Sequence, residues 1–451
     1  MRLIKSAAAL LALTLIFSLT SCGGAGDTSS GSQSSDAESK APVSSSDGKS
    51  SSSSSSSDDS SSASSESEIK ERSPVYTNSL ITKAMYTRSV VSEGNTSRLK
   101  AIMKKAQAGE PITVAAIGGS ITYGGSASAP EKSYAALVAK WWEDAFPNTD
   151  VEFVNAGVGG TGSVIGAGRV EFDLLLREPD FVIVEFGVND EATDAVAREA
   201  YEGIVRRILA SPKGPAVMLL FLQKNDGTNA QEGQAQIGAR YQLPMISYRD
   251  AMWPEMQGGK FAWKDVTADD IHPNDKGYDI VSGLVINQLE KAYRNMNVYE
   301  APIRTLAQPV TPNRFMNAKY YNNSSLKPAK SDGWEKSYNA YWAFPLGWNA
   351  VEKNKSFEFE TEGRYIVMIY KRTLEKKGGL ADVFVDGLQM GRCEANVTQY
   401  EGYAMQVICN DYNSVKHHVS VTKIDRPAPG PDETPSPSDD SEFYILGFII
   451  A

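Results

Sequence analysis

Histidine is nearly missing from this chain: only three occur in 451 residues, His272, His417 and His418. Cysteine is as scarce, also at three. The segment that reads as the main domain has no His and Cys cluster at metal-ligand spacing, so nothing there calls for a metal. No Gly-Lys-Ser/Thr follows a glycine-rich turn, which excludes a P-loop. Excess positive charge is absent too. The net charge of −10 argues against nucleic acid or an anionic membrane surface as partner. Many of the acids fall in a Ser-rich tract and a late loop, so they describe the folded surface poorly. The apolar run at residues 7–19 is too short to span a bilayer comfortably. His417 and His418 lie near the C-terminus, so any histidine-dependent chemistry in the main domain rests on His272 alone.

The N-terminus reads as a targeting signal, with Arg2 and Lys5 ahead of the apolar run. The run ends in Leu19-Thr20-Ser21-Cys22-Gly23, which resembles a bacterial lipobox, and Cys22 would then be the lipidated first residue of the mature protein. The alternative is an ordinary secretory signal; either way the expected location is outside the cytoplasm, with the membrane reached only through the N-terminal anchor. Residues 23–72 are mostly Ser, Asp, Glu and Gly, too poor in apolar groups to fold, and suit a tether. Cys393 and Cys409 remain; they could form one disulfide between neighbouring strands or stay as buried thiols.

The expected fold class is α/β, a flavodoxin-like doubly wound parallel sheet, followed by an all-β sandwich or jelly-roll domain. The expected bounds are 73–298 and 299–451, after a signal at 1–22 and a linker at 23–72. Short, almost wholly apolar runs at 112–117, 151–155, 181–186 and 217–222 read as parallel strands covered on both faces, with 245–248 a candidate fifth. Amphipathic stretches at 133–145, 163–176, 193–209, 231–241 and 276–294 alternate with them as helices. Beyond residue 300 the pattern turns to strands, at 356–360, 365–370, 381–385 and 418–421, with Asp386-Gly387 a hairpin signal. Residues 426–440, rich in Pro, Asp and Ser, read as a loop before a last apolar strand at 443–450.

Four motifs fall at the carboxyl ends of the expected strands, where open α/β sheets bind ligands. The first strand runs into Gly118-Gly119-Ser120-Ile121-Thr122, a turn that can expose a serine hydroxyl and a free N–H. Alone this is a weak signal, and it is not a Gly-x-Ser-x-Gly elbow. The second strand ends in Asn155-Ala156-Gly157-Val158-Gly159-Gly160-Thr161, the third in Gly187-Val188-Asn189-Asp190. The loop before the last helix holds Asp269-Asp270-Ile271-His272-Pro273. Separately, Asn189 could cap the next helix, His272 could be a loop residue, and the glycines could serve only a turn.

In this order and placement the motifs resemble the SGNH (GDSL-like) hydrolase family over residues 80–296. One departure is plain: the usual Gly-Asp-Ser is here Gly-Gly-Ser, which leaves the chemistry in place but changes the packing of that turn. The resemblance implies a serine esterase in which Ser120 attacks an ester carbonyl, His272 is the general base and Asp269 orients it, with Asp270 as fallback. It implies an oxyanion hole from the Ser120 N–H, the Gly160 N–H, with Gly159 its rival, and the Asn189 amide. No cofactor or metal is required. An exported member with an added β-domain is most similar to carbohydrate O-acetylesterases, so the expected partner is an acetylated polysaccharide or oligosaccharide of the mannan or xylan type. A lipid or envelope-polymer esterase and a non-catalytic glycan-binding lipoprotein are the alternatives. Two softer features are Glu185 in an apolar strand, for which Arg169 is the candidate partner, and Trp334, Trp342 and Trp348, which suit either core packing or sugar stacking.

Overall fold

The computed structural model describes residues 77–374, 377–397, 401–410, 416–424 and 441–451. The expected signal peptide with Cys22, the Ser-rich linker and the 426–440 tract lie outside the described residues. Residues Glu68–Ala451 form one compact unit.

The main sheet contains β1 (Val90–Ser92), β2 (Ile112–Gly118), β3 (Val151–Gly157), β4 (Phe181–Glu185), β5 (Ala216–Phe221) and β6 (Met245–Ser247). Its order is β1-β6-β5-β4-β2-β3, parallel except for β1. Every residue of β2, β4 and β5 is buried, which is why these strands read as unbroken apolar runs. The edge strand β3 is only partly buried and carries Glu152 and Asn155 outward. The helices are α1 (Lys83–Ser89), α2 (Ser97–Gln107), α3 (Ser120–Tyr123), α4 (Tyr134–Ala145), α5 (Ser163–Asp173), α6 (Ala195–Ala210), α7 (Gln231–Arg240), α8 (Tyr248–Gln257), α9 (Trp263–Val266) and α10 (Asp275–Arg294). The strand order changes direction at β2, between β4 and β3, and α3 starts there.

The short antiparallel edge β1 and the helix α8 had no clear sequence signal. Pro254 lies inside α8 and cannot donate to the Asp250 carbonyl, as a helix would require. Arg88 Nε donates to that carbonyl at 3.1 Å instead, and its Nη2 to the next one, Ala251, at 2.9 Å. A guanidinium from another helix thus satisfies the group that proline orphans.

The β-rich part contains β7 (Lys319–Tyr321), β8 (Trp334–Ser337), β9 (Gly347–Ala350), β10 (Ser356–Glu362), β11 (Tyr365–Arg372), β12 (Leu380–Val385), β13 (Leu388–Glu394), β14 (Gly402–Asn410), β15 (Lys416–Ile424) and β16 (Tyr444–Ile450). One sheet runs β10-β15-β12-β13; the other runs β14-β11-β16-β9-β8, with β7 beside β16. Asp386 and Gly387 both take positive φ, +53° and +79°, as the two-residue turn from β12 to β13 requires. The strands β10 and β15 alternate buried and open positions, so one face meets the core and the other solvent. The strands β11 and β16 are buried almost throughout. Ile366, Met368 and Phe448 face the β10-β15-β12-β13 sheet, whereas Tyr365, Val367, Ile369 and Ile449 share a core with Val164 of α5 and Ile204 of α6. Helices α5 and α6 are therefore a common layer between the two sheets.

Polar groups reinforce that layer. Glu199 of α6, 1% exposed, binds Arg314 through its Nε and Nη2, at 2.6 Å for the latter, and also the Arg314 N–H. Glu202, fully buried, accepts from the N–H groups of Val310 and Thr311 and from the hydroxyls of Thr311 and Tyr241. Each buried carboxylate is saturated with donors, which its burial demands. Between them Phe315, 0% exposed, packs on Gly203 and at 5.2 Å from the Tyr365 ring.

Cys393 and Cys409 are both buried and not bonded to each other, so the disulfide considered from the sequence is not formed. They belong to strands of different sheets, β13 and β14, and the Cys409 sulfur lies 3.4 Å from His417 Nε2. His417 Nδ1 in turn pairs with Asp386 at 2.7 Å.

Truncation of Phe315 should expose the weak point of this arrangement. Phe315→Ala should lower unfolding free energy by about 3–5 kcal/mol in a guanidinium titration, the range typical for an emptied aromatic site.

Candidate active site

Ser120 is the first residue of α3, directly beyond the end of β2. As a helix-opening residue it has an N–H that no intrahelical carbonyl can reach. The turn is locked from below. Tyr278 of α10 donates its hydroxyl to the carbonyls of Ile121, at 3.2 Å, and Gly125, at 2.7 Å. Thr122, fully buried, contacts the Tyr134 hydroxyl at 2.8 Å.

The Ser120 hydroxyl lies 2.8 Å from His272 Nε2, and His272 Nδ1 lies 2.7 Å from Asp269 Oδ2. The second oxygen of Asp269 accepts the backbone N–H groups of Ile271 and His272 at 2.8 and 2.7 Å. That local turn explains the three-residue offset: the carboxylate caps the loop that presents the imidazole. Burial works against the Asp269 charge, yet the His272 backbone and ring and the Ile271 N–H hold its carboxyl below the usual range. Asp270 is not placed to replace it, because its side chain accepts from Asn225 at 2.9 Å. Gly125 lies against the imidazole; a Cβ there would sit 3.0 Å from His272 Cδ2.

The other elements also converge here. Asn189 lies in the loop between β4 and α6, and its Oδ1 is so near the turn that a Cβ on Gly119 would sit 2.1 Å from it. That oxygen is buried without a partner, and the amide nitrogen donates to nothing among the described residues. Asn189 is not the cap of the next helix, since Asp194 caps α6 with 2.8 and 3.1 Å bonds. The amide is thus left over for a ligand. Gly160 takes φ +71°, and its N–H has no acceptor among the described residues. A Cβ on Gly159 would lie 3.9 Å from Ser120 Cβ, so this glycine loop edges the serine.

Glu185 and Arg169 do not pair, contrary to the sequence reading. Arg169 donates to the carbonyls of Ala156 and Gly118, at 2.6 and 2.8 Å, and to Asp173, which ties the ends of β3 and β2 together. Glu185 accepts from the Gly187 N–H at 3.1 Å and from Thr122 at 3.4 Å. With no cation beside it, burial pushes its carboxyl up to about 8. Asp190, bound by the Ser163 N–H and hydroxyl and by Gln234, is pushed up to about 7, again by burial.

The β-domain also enters the site. Trp334 and Trp348 are core residues, but Trp342 is 64% exposed at the tip of the loop between β8 and β9. Its Cη2 would lie 2.9 Å from a Cβ on Gly159. Tyr403 of β14 donates its hydroxyl to the Gly160 carbonyl. Sequence reasoning missed Tyr403 altogether, because nothing around it marks an active site.

A serine hydroxyl, an imidazole and a carboxylate in one hydrogen-bonded chain, beside unused N–H and amide donors, can deprotonate the serine and meet a developing oxyanion. The comparisons agree in kind. Residues 116–280 match the GDSL-like Lipase/Acylhydrolase family. Two solved structures share the architecture at TM-score 0.72 and 32% identity, covering 81% of this chain and 97% of theirs. They are described as a two-domain esterase (CEX) active on acetylated mannans, one of them co-crystallised with mannopentaose. Among curated proteins no match is found. The chain is an ester-hydrolysing enzyme. It belongs to the GDSL-like lipase/acylhydrolase family.

The buried acids imply a pH dependence of stability. Folded Glu185 keeps its proton to about 8, whereas the unfolded chain releases it near the usual 4.5. Between these values the folded state binds more protons, so stability falls as pH rises. The sign is the same for Asp190 between 3.8 and about 7. The melting temperature should decline from pH 5 to pH 8, and Glu185→Gln, which mimics the neutral acid, should flatten that decline.

Proposed function

We propose that this protein is an exported carbohydrate O-acetylesterase, anchored through Cys22, that removes acetyl groups from acetylated mannan-type glycans through an acyl-enzyme on Ser120. The single observation that carries the glycan reading is the placement of Trp342 from the β-domain next to the catalytic serine. Tyr123, 60% exposed three residues after Ser120, adds a second open aromatic ring. Aromatic faces flanking a nucleophile suit a sugar ring that carries a small acyl group. The two-domain relative active on acetylated mannans supports the same substrate class.

In the proposed reaction Ser120 Oγ attacks the acetyl carbonyl carbon while His272 Nε2 takes its proton. The charge that develops on the carbonyl oxygen meets the N–H groups of Ser120 and Gly160 and the Asn189 amide. The tetrahedral species expels the sugar oxygen, which receives the proton from His272, and Ser120 is left acetylated. Water, deprotonated by His272, then attacks the acyl-enzyme; acetate leaves and Ser120 regains its proton. Asp269 holds the imidazole with Nε2 toward Ser120 and stabilises the imidazolium.

A panel of acetylated mannan, acetylated xylan and short and long nitrophenyl esters tests the reading by acetate or nitrophenol release. Acetylated mannan and short esters should be cleaved, with long-chain esters poor; Ser120→Ala and His272→Ala should each lose at least about 1000-fold in kcat. Full activity of a folded His272→Ala variant would refute the mechanism. Trp342→Ala should raise KM for acetylated mannan by roughly tenfold, equivalent to about 1.4 kcal/mol of lost stacking, and leave nitrophenyl acetate hydrolysis nearly unchanged. Equal KM values on the polymer would sink the glycan-platform assignment.

A further inference from the structure

We propose that Tyr403, from the β-domain, is a positioning residue for the oxyanion hole: its hydroxyl holds the Gly160 carbonyl, and with it the orientation of the Gly160 N–H. The inference rests on the serine-esterase mechanism above but not on the identity of the glycan.

The segment that presents Gly160 is intrinsically loose. Gly159 and Gly160 are consecutive glycines, and Gly160 sits at φ +71°, where glycine has freedom that other residues lack. The loop closes on itself before and after this pair. Val158 N donates to the Gly118 carbonyl at 3.1 Å; Thr161 donates its N–H at 3.3 Å and its hydroxyl at 2.8 Å to the Val158 carbonyl. The Thr161 N–H shares a peptide plane with the Gly160 carbonyl, so its 3.3 Å bond steadies that plane only weakly, and the preceding plane, which carries the Gly160 N–H, has no bond of its own among the described residues. The Tyr403 hydroxyl is the one donor to the Gly160 carbonyl among the described residues. The Tyr403 ring is also the single group within 4 Å of a Cβ built on Gly160, at 3.9 Å. Among the described residues, no group of the α/β part hydrogen-bonds the Gly160 N–H or carbonyl.

The anchor itself is well held. The Tyr403 ring packs edge-on against Phe344, with centroids 5.3 Å apart, and against Tyr341 at 6.4 Å. Burial raises the pKa of its hydroxyl, so it stays a donor across the neutral range. Next to it Arg169 fixes the carbonyls of Gly118 and Ala156, the residues on which the same loop is hung. Oxyanion stabilisation depends on donors that are aimed before the charge develops; a donor that must be oriented during the reaction gives up part of its effect. The second domain therefore completes the catalytic machinery for any ester, however small.

The test is Tyr403→Phe in the full chain, which keeps the ring and removes only the hydroxyl, assayed on 4-nitrophenyl acetate with Ser120→Ala as the blank. We expect kcat to fall about tenfold or more, short of the ~100–1000-fold loss seen when a donor is removed outright. KM, the shape of the pH profile and the melting temperature should stay near the parent values. An unchanged kcat in the folded variant overturns the proposal. So does a raised KM on acetylated mannan with an unchanged kcat on the small ester, since that makes Tyr403 a glycan contact. Because the assay uses a small ester, a parent enzyme that ignores acetylated glycans defeats the substrate reading and leaves this test standing.

Discussion

Helices α5 and α6 are buried on both sides, and the rest of the structure depends on that constraint. A helix between two sheets must be apolar around most of its circumference, and the polar groups it does carry need complete partners. On α6 those groups include Glu199 and Glu202, bound largely by the segment that leads into the β-rich part, and Arg207, which donates to the carbonyls of Ala167 and Ala318. On α5 Arg169 is spent on the ends of β2 and β3. The common core makes the second sheet a wall of the first domain, with Ile449 lying 3.0 Å from where a Cβ on Gly168 would be. Only with the two sheets held in fixed relation can side chains such as Trp342 and Tyr403 reach the serine reproducibly.

The electrostatics below the nucleophile follow from the same dryness. The end of β4 carries Glu185 and, five residues on, Asp190; both are buried and neither faces a cation. Burial raises Glu185 to about 8 and Asp190 to about 7, so near neutrality they carry less negative charge beneath the site than exposed carboxylates would. Asp269, the one carboxylate that the proposed reaction needs charged, is instead half open at the loop surface and held by two backbone N–H groups. Solvation separates the acids: burial raises the pKa of those under the sheet edge, and hydrogen bonds lower that of the one beside the imidazole.

Ser120, Asp269 and His272 were legible because each lies in a short motif whose position relative to a strand or helix follows from hydrophobic pattern alone. The parallel order of the main sheet was legible for the same reason: strands buried on both faces leave continuous apolar runs, and β2, β4 and β5 do. The burial of β11 and β16 left the same trace, but the trace does not say what covers the second face. That face is covered by α5 and α6, residues more than 150 positions earlier in the chain, and no local pattern encodes such a distance. Tyr403 was unreadable on this account, and Trp342, though a candidate for sugar stacking, could not be told apart from the core residues Trp334 and Trp348. The Arg169–Glu185 pairing failed for a related reason: two opposite charges in apolar stretches invite a match, but carbonyls at strand ends satisfied the arginine first. The choice between a disulfide and buried thiols at Cys393 and Cys409 stayed open in the sequence for a like reason, since spacing does not show that β13 and β14 join different sheets.

The Gly-Gly-Ser turn departs from the family pattern for a reason that the geometry makes concrete. At Gly119 a Cβ would lie 2.1 Å from Asn189 Oδ1 and 3.2 Å from the Thr161 carbonyl. A side chain there would have to displace either the amide or the loop that carries Gly160. Glycine removes the conflict, and Asn189 moves against the backbone of the nucleophile turn. The cost is an amide oxygen buried without a hydrogen bond, worth about 1–3 kcal/mol by the usual penalty. Among the described residues nothing accepts from the amide N–H groups. The residue that is missing from the turn is therefore what lets Asn189, the proposed oxyanion donor, sit against the backbone beside Ser120.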